Sequence, residues 1–225
     1  MSEVASALAR LGAPPEALER LAHYGELLLE RNRDVNLTGA RDADAIAEHI
    51  ADALTLLPLI ADDGELIDVG AGGGLPGIPL AIVRGLRVTS VDATAKKIAF
   101  IADAMQRLGV KGEAVAGRAE ELAREQRFRE RFAYATARAL ASAAAVVELT
   151  LPFLALGGRA LMQRGTLSDE ERAAAGDSAL ALGGEITDEL PLEGERRILI
   201  VTKRTPTSER FPRRVGVAQR RPLSS

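Results

Sequence analysis

The chain has 225 residues, 47% of them hydrophobic and 27% charged, with a formal net charge of −3. Such a length allows one or two domains with a well-filled core, and the composition is that of an ordinary globular protein. The absence of cysteine excludes disulfides and thiolate metal sites, and fits a reducing compartment. The opening MSEVASALARLG has no basic segment followed by an apolar one, so no signal peptide is expected. The longest apolar region, residues 139–156, is interrupted by Glu148 and Pro152 and is too short to span a membrane. A net-negative chain is not a uniformly basic nucleic-acid binder. Its charge is uneven, however: residues 203–225 hold seven lysines and arginines against Glu209 alone, giving +6 there and −9 elsewhere. Both a polyanion partner and a merely solvated tail fit that asymmetry.

Residues 1–60 read as helices. Leu18, Leu21, Ala22, Gly25, Leu28 and Leu29 form one apolar stripe after a Pro14-Pro15 start. The polar segment 31–39 ends on Gly39, a stop signal. A second helix follows, with Ile46, Ile50, Ala53, Leu54 and Leu57 on one face and Pro58 at its end. His49 and Asp52 lie one turn apart on it, either as an exposed pair or as the edge of a substrate site.

From Leu66 the pattern alternates. Leu66–Val69 reads as a buried strand, and Gly70, Gly72, Gly73 and Gly74 follow within five residues. Leu75–Ile82 then resumes at a helical spacing. A strand, a glycine turn and a helix let backbone approach a ligand, with open N–H groups and the partial positive charge of the helix start. Gly72, Gly74 and Gly77 satisfy G-x-G-x-x-G, for which a dinucleotide site is one reading. Asp68 points elsewhere, because D-V-G-A-G-G-G follows the D/E-x-G-x-G-x-G form typical of class I methyltransferases that bind S-adenosylmethionine. A carboxylate there can face the cationic amino-acid end of that cofactor and would repel a pyrophosphate.

Residues 87–91 predict a second strand closed by Asp92, which can accept both ribose hydroxyls of an adenosine or simply serve a turn. Residues 95–108 predict a helix with Lys96 and Lys97 in its first turn, against the helix dipole. Further strands are expected at 113–116, 132–136, 159–162 (after a turn at Gly157-Gly158), 183–186 and 197–203. Helices are expected after Ala139, ending near Pro152, and over 168–181. The charged stretch 124–131 reads as a solvated helix end. Strands alternating with helices imply a mainly parallel sheet covered on both faces.

Taken together, Val35-Asn36-Leu37-Thr38, His49-Ile50-Ala51-Asp52, the loop from Asp68 to Pro79, Asp92 with Lys96-Lys97, Arg118-Ala119-Glu120 and Arg138-Ala139 resemble the RsmG family, also called GidB or glucose-inhibited division protein B. The resemblance runs from Asn36 to about Lys203, and Phe211-Pro212-Arg213-Arg214 resembles the ending of some members. It implies an α/β, Rossmann-like class I methyltransferase with a seven-stranded, mainly parallel sheet and an N-terminal helical layer. The implied activity is transfer of a methyl group from S-adenosylmethionine to N7 of a guanine in a loop of bacterial 16S ribosomal RNA. The expected organisation is a single domain: helical extension 1–60, cofactor-binding sheet 61–203, basic tail 204–225. The resemblance implies cofactor contacts at Gly70 and Leu75, a ribose side at Asp92, Ala93 and Thr94, an adenine frame at Ala119 and Glu120, and Arg138 beside the pocket. Asn36, His49 and Asp52 resemble positions that line the substrate side. Ala53, Thr94 and Arg197 depart from the family pattern. The implied partner is 16S ribosomal RNA or the small ribosomal subunit, for a cytoplasmic monomer with no membrane association.

Guanine N7 is nucleophilic without deprotonation, so the enzyme must align rather than activate, and no catalytic base is assigned. N7 lies on an edge that A-form RNA hides, so the target is expected to be unpaired or splayed. With two Tyr, five Phe and no Trp, stacking platforms are few. Phosphate contacts from the tail and the Arg33 region are the expected source of affinity. The rival readings are a methyltransferase for another substrate class and a nicotinamide-dependent oxidoreductase. The last would need a proton-donating second domain, for which the C-terminal third has no room.

Overall fold

The computed structural model describes residues 1–62, 64–138 and 141–223. The expected motif residue Ala139 and the last two residues of the tail lie outside the described residues. The chain divides into two compact units, Met1–Ala116 and Gly117–Ser225.

The first unit begins with three helices, α1 (Glu3–Arg10), α2 (Leu18–Arg31) and α3 (Ala43–Leu54). Ser2 and Asp42 start α1 and α3 by accepting the N–H of Ala5 and Ala45. Gly25 lets the three helices approach, since a Cβ there would lie 2.7 Å from Val4 and 3.0 Å from Ile46. Strand β1 (Glu65–Val69), helix α4 (Gly77–Arg84), strand β2 (Arg87–Asp92), helix α5 (Ala95–Leu108) and strand β3 (Gly112–Ala116) follow. β1 and β3 each pair parallel to β2, with Val69 opposite Val91 and Asp92 opposite Ala116. Tyr24, Leu28, Leu37, Ala71, Leu75 and Ile78 belong to one apolar cluster, so the helical layer and the glycine loop share a core. Arg20 fastens α2 to the ends of two other helices, donating to the carbonyls of Ile82 (3.2 Å) and Leu108 (2.8 Å). Those are carbonyls that a helix terminus leaves without an intrahelical partner.

The second unit contains α6 (Ala119–Leu122), β4 (Phe132–Thr136), α7 (Ala143–Thr150), β5 (Leu154–Arg164), α8 (Asp169–Ala181), β6 (Gly184–Pro191), β7 (Arg197–Lys203) and α9 (Val217–Arg220). β4 and β5 are parallel, while β7 runs antiparallel to both β5 and β6. The fold is α/β, with a seven-stranded and mainly parallel sheet.

Three expectations are corrected here. Gly157-Gly158 is not a turn before the fifth strand but an irregularity inside it, because pairing shifts between Phe132↔Leu154 and Tyr134↔Arg159. Gly157 is left-handed (φ 80°), and a Cβ on Gly158 would lie 2.8 Å from the Phe132 carbonyl, so glycines allow the strand to bulge without ending. β6 continues to Pro191, five residues beyond the expected 183–186, through a polar TDELP sequence that alternation could not flag. Charges and a terminal proline suit a strand paired on one side. Finally, residues 124–131 are not a solvated helix end. Phe128 is buried there, and two arginines turn onto the C-terminal tail.

Arg124 donates to the carbonyls of Glu209 (3.0 Å) and Pro212 (2.5 Å), and Arg129 to those of Thr207 (2.8 Å) and Phe211 (3.0 Å). Phe211 is buried, and Arg213 forms a forked ion pair with the fully buried Glu148, at 2.5 Å and 3.0 Å to Oε2 and 2.9 Å to Oε1. Lys203 is also fully buried, 3.2 Å from Glu130 and 3.1 Å from the Leu151 carbonyl. Burial pushes its ammonium below the usual lysine value, and Glu130 opposes that shift. The tail is therefore part of the second unit's packing. Breaking a buried pair strands the remaining charge, so Arg213→Ala is expected to cost about 3 kcal/mol of stability. Urea unfolding at constant slope measures this; an unchanged midpoint would show that the tail contributes nothing.

Candidate cofactor site

The first unit builds its glycine loop from the ends of two parallel strands. Gly70 and Ala71 both donate to the Val91 carbonyl, at 2.8 and 2.9 Å, which folds the chain leaving β1 across the end of β2. Asp92 then takes the Gly72 N–H on Oδ2 (3.1 Å) and the Thr94 N–H on Oδ1 (2.8 Å). The second bond is an Asx turn, so the turn role foreseen for this residue is real. Each oxygen retains acceptor capacity for a hydroxyl. Gly70, Gly72 and Gly74 have φ of 70°, 58° and 93°, a region costly for residues with a Cβ. Ala93 and Thr94 are exposed beside Asp92, Gly70 and Gly72 are half-buried, and Leu75 is buried in the core.

The expectation of open N–H groups is corrected. The amides of Gly70, Ala71, Gly72, Gly74 and Leu75 all donate within the loop or to β2. The first residue of α4, Gly77, donates to Asp68 Oδ2 at 3.0 Å. Asp68 is fully buried, so its carboxylate serves the helix start. A helix terminus already compensated by a carboxylate is a poor seat for a pyrophosphate, which argues against the dinucleotide reading.

The loop is also held from outside by Tyr24, Leu28 and Leu37, whose packing on it pattern reading did not foresee. The buried Tyr24 hydroxyl donates to the Gly73 carbonyl at 2.8 Å. A Cβ on Gly73 would lie 2.6 Å from Leu28 Cδ1 and 3.3 Å from Leu37 Cβ. Leu37 is itself placed by Asn32. The Asn32 amide accepts from Leu37 and Thr38 (2.8 and 3.0 Å) and donates to the Thr38 and Ala40 carbonyls (3.0 and 2.8 Å). A tyrosine within an apolar stripe was the available signal, since its hydroxyl needs a partner when buried.

The remaining expected residues fall in separate places. Asn36 is exposed in the segment between α2 and α3. His49 and Asp52 are half-buried on α3 and do not line the same hollow as Asn36. In the second unit, Ala119 and Glu120 open α6, and Arg138 is half-buried just past β4. Glu120 is buried and accepts the Gly216 N–H at 2.7 Å, a link between α6 and the tail that the sequence did not suggest.

The fold recurs in solved proteins. M. jannaschii TYW2 in complex with AdoMet matches with a TM-score of 0.55 at 12% identity, over 70% of this chain and 76% of that one. The Methanococcus jannaschii fibrillarin pre-rRNA processing protein matches at 0.51 and 16% identity, over 64% and 67%. The fold is that of the class I S-adenosylmethionine-dependent methyltransferases. The GidB family model, described as rRNA small subunit methyltransferase G, matches residues 17–199. Relatives named ribosomal RNA small subunit methyltransferase G include those of Leuconostoc mesenteroides, 38% identical over 93% of this chain and 92% of that one, and of Synechococcus elongatus, 41% identical over 87% and 86%. The chain belongs to this family, and its cofactor is S-adenosylmethionine.

Gly73→Ala would drive a methyl group into Leu28 and Leu37. It is expected to destabilise the fold by about 1–3 kcal/mol and to weaken S-adenosylmethionine binding together with it. Denaturation and calorimetric titration of the same variant check both; intact stability with intact binding would show that the wall behind Gly73 yields freely.

Proposed function

We propose that this protein transfers the methyl group of S-adenosylmethionine to N7 of an unpaired guanine in a loop of 16S ribosomal RNA. Family membership supports the substrate class, and the observation that carries the site is Asp92, which holds the glycine loop with both oxygens while remaining able to accept hydroxyls. Asp92, Ala93 and Thr94 take the ribose side, Gly70 and Leu75 the loop side, Ala119 and Glu120 the adenine, and Arg138 a neighbouring position. Asn36, His49 and Asp52 take the substrate side. The bound cofactor supplies an electrophilic methyl carbon on a positively charged sulfur. The chain's own task is to bind, to align the guanine with that carbon and to exclude water. The N7 lone pair attacks directly, so no side chain has to remove a proton first.

We further read the chain as one methyltransferase domain with a helical extension (1–60), a sheet region (61–203) and a tail (204–225), acting as a cytoplasmic monomer on the small subunit or its RNA. No described helix is long and apolar enough to cross a membrane.

The test is methyl transfer from labelled cofactor to small-subunit RNA from a strain lacking this enzyme, with N7-methylguanine sought by nuclease digestion and mass spectrometry. One labelled loop guanine is the expected result. Label in protein or small molecules, with none in RNA, would move the substrate to another class. Asp92→Ala removes two hydrogen bonds to a charged acceptor, worth about 3 kcal/mol together. It is expected to raise the cofactor Kd roughly 100-fold, and a Kd within a few-fold of wild type would remove Asp92 from the ribose role.

A further inference from the structure

The segment joining α2 to α3 has two sides with different tasks. Its inner side places Leu37 behind Gly73, and the Leu37 carbonyl would lie 3.4 Å from a Cβ on Gly72. Its outer side forms an open hollow of about 630 Å³, lined by Asn32, Arg33, Asp34, Asn36, Ala40 and Arg41 with Leu29 beneath. Arg33 is exposed, and its side chain has no hydrogen-bond or ion-pair partner among the described residues. Arg41 is also exposed, and its Nη1 donates to the Thr38 carbonyl at 3.2 Å, which holds the guanidinium in the lining while its other nitrogens stay outside that bond. The one acid in the lining, Asp34, sits 3.8 Å from Arg31.

The floor is rigid for a stated reason. All four hydrogen bonds of the buried Asn32 amide fall on residues 37, 38 and 40, so the backbone that presents Arg33, Asn36 and Arg41 is set before any ligand arrives. Two arginines and a neutral amide on a fixed backbone, lining one hollow, suit a phosphodiester, since arginine's planar fork matches phosphate oxygens. The open form and scarce apolar wall do not suit a small apolar ligand.

We propose that this hollow is a backbone-phosphate subsite for the RNA substrate, with Arg33 and Arg41 taking the phosphate oxygens and the Asn36 amide adding a neutral donor. The proposal rests on the RNA methyltransferase reading above. It places the RNA backbone one residue's thickness from the glycine loop, on the far side of Leu37.

The experiment is filter binding of transcribed 16S ribosomal RNA, and of small subunits lacking the modification, across a series of KCl concentrations. The double variant Arg33→Ala/Arg41→Ala is expected to bind about ten-fold more weakly near 0.1 M salt, with the salt slope flatter by roughly 1.5. Asp34→Asn removes a repelling charge and is expected to tighten binding about two-fold. The cofactor Kd is expected to stay at the wild-type value in both variants, and Arg87→Gln, exposed at the start of β2, to match wild type throughout. If wild type methylates RNA but the double variant keeps its affinity and slope and Asp34→Asn gains nothing, the subsite is wrong and the methyltransferase reading stands. If wild type methylates no ribosomal RNA, that reading fails, and the subsite with it.

Discussion

The carboxylate of Asp92 joins three pieces of chain. One oxygen holds Gly72 and the other holds Thr94, so the loop leaving β1, the end of β2 and the start of α5 are fixed relative to one another. The loop needs such a fastening because three of its glycines sit at positive φ, and glycine loses more conformational freedom on folding than any other residue. The parallel pairing that sets Val69 opposite Val91 brings donors and acceptor within reach. Asp68, on the neighbouring strand, has a different task. It is sealed in the core and meets the first amide of α4, so two aspartates near the ends of adjacent strands divide into a helix partner and a loop partner.

The N-terminal helices support the glycine loop directly. Tyr24 and Leu28 on α2 and Leu37 beyond it back directly onto Gly73, and Arg20 fastens α2 to the ends of α4 and α5. Any residue with a side chain at Gly73 would collide with that wall. The glycine there thus answers to packing from behind, whereas those at 70, 72 and 74 answer to backbone conformation.

The C-terminal tail shows how far net charge can mislead. Its +6 suggests a free polycation, but Lys203 and Arg213 face buried or half-buried carboxylates, Arg204 pairs with Glu185, and Arg210 lies over the Phe211 ring. Arg124 and Arg129 meanwhile spend their guanidiniums on the tail's carbonyls, where water would otherwise have to serve. Less basic surface remains than the sequence count implies, and the tail's contact with Glu120 ties it to a proposed adenine-side residue.

The parts of this protein legible in its sequence were those set by local pattern. Apolar periodicity and glycine punctuation located α5 and β4 at their observed bounds, β1 and β2 to within a residue, and D-V-G-A-G-G-G marked the glycine turn between β1 and α4, because backbone conformation and strand alternation are written residue by residue. The tertiary structure alone decided which polar groups meet. It sent Asp68 to Gly77, Tyr24 to Gly73 and Asn32 to the 37–40 backbone, each across an interval with no periodic trace, and it turned the charged stretch 124–131 into a clamp on the tail. Hydrogen bonds and ion pairs depend on distances of a few tenths of an ångström between elements, and those distances exist only after the core has packed.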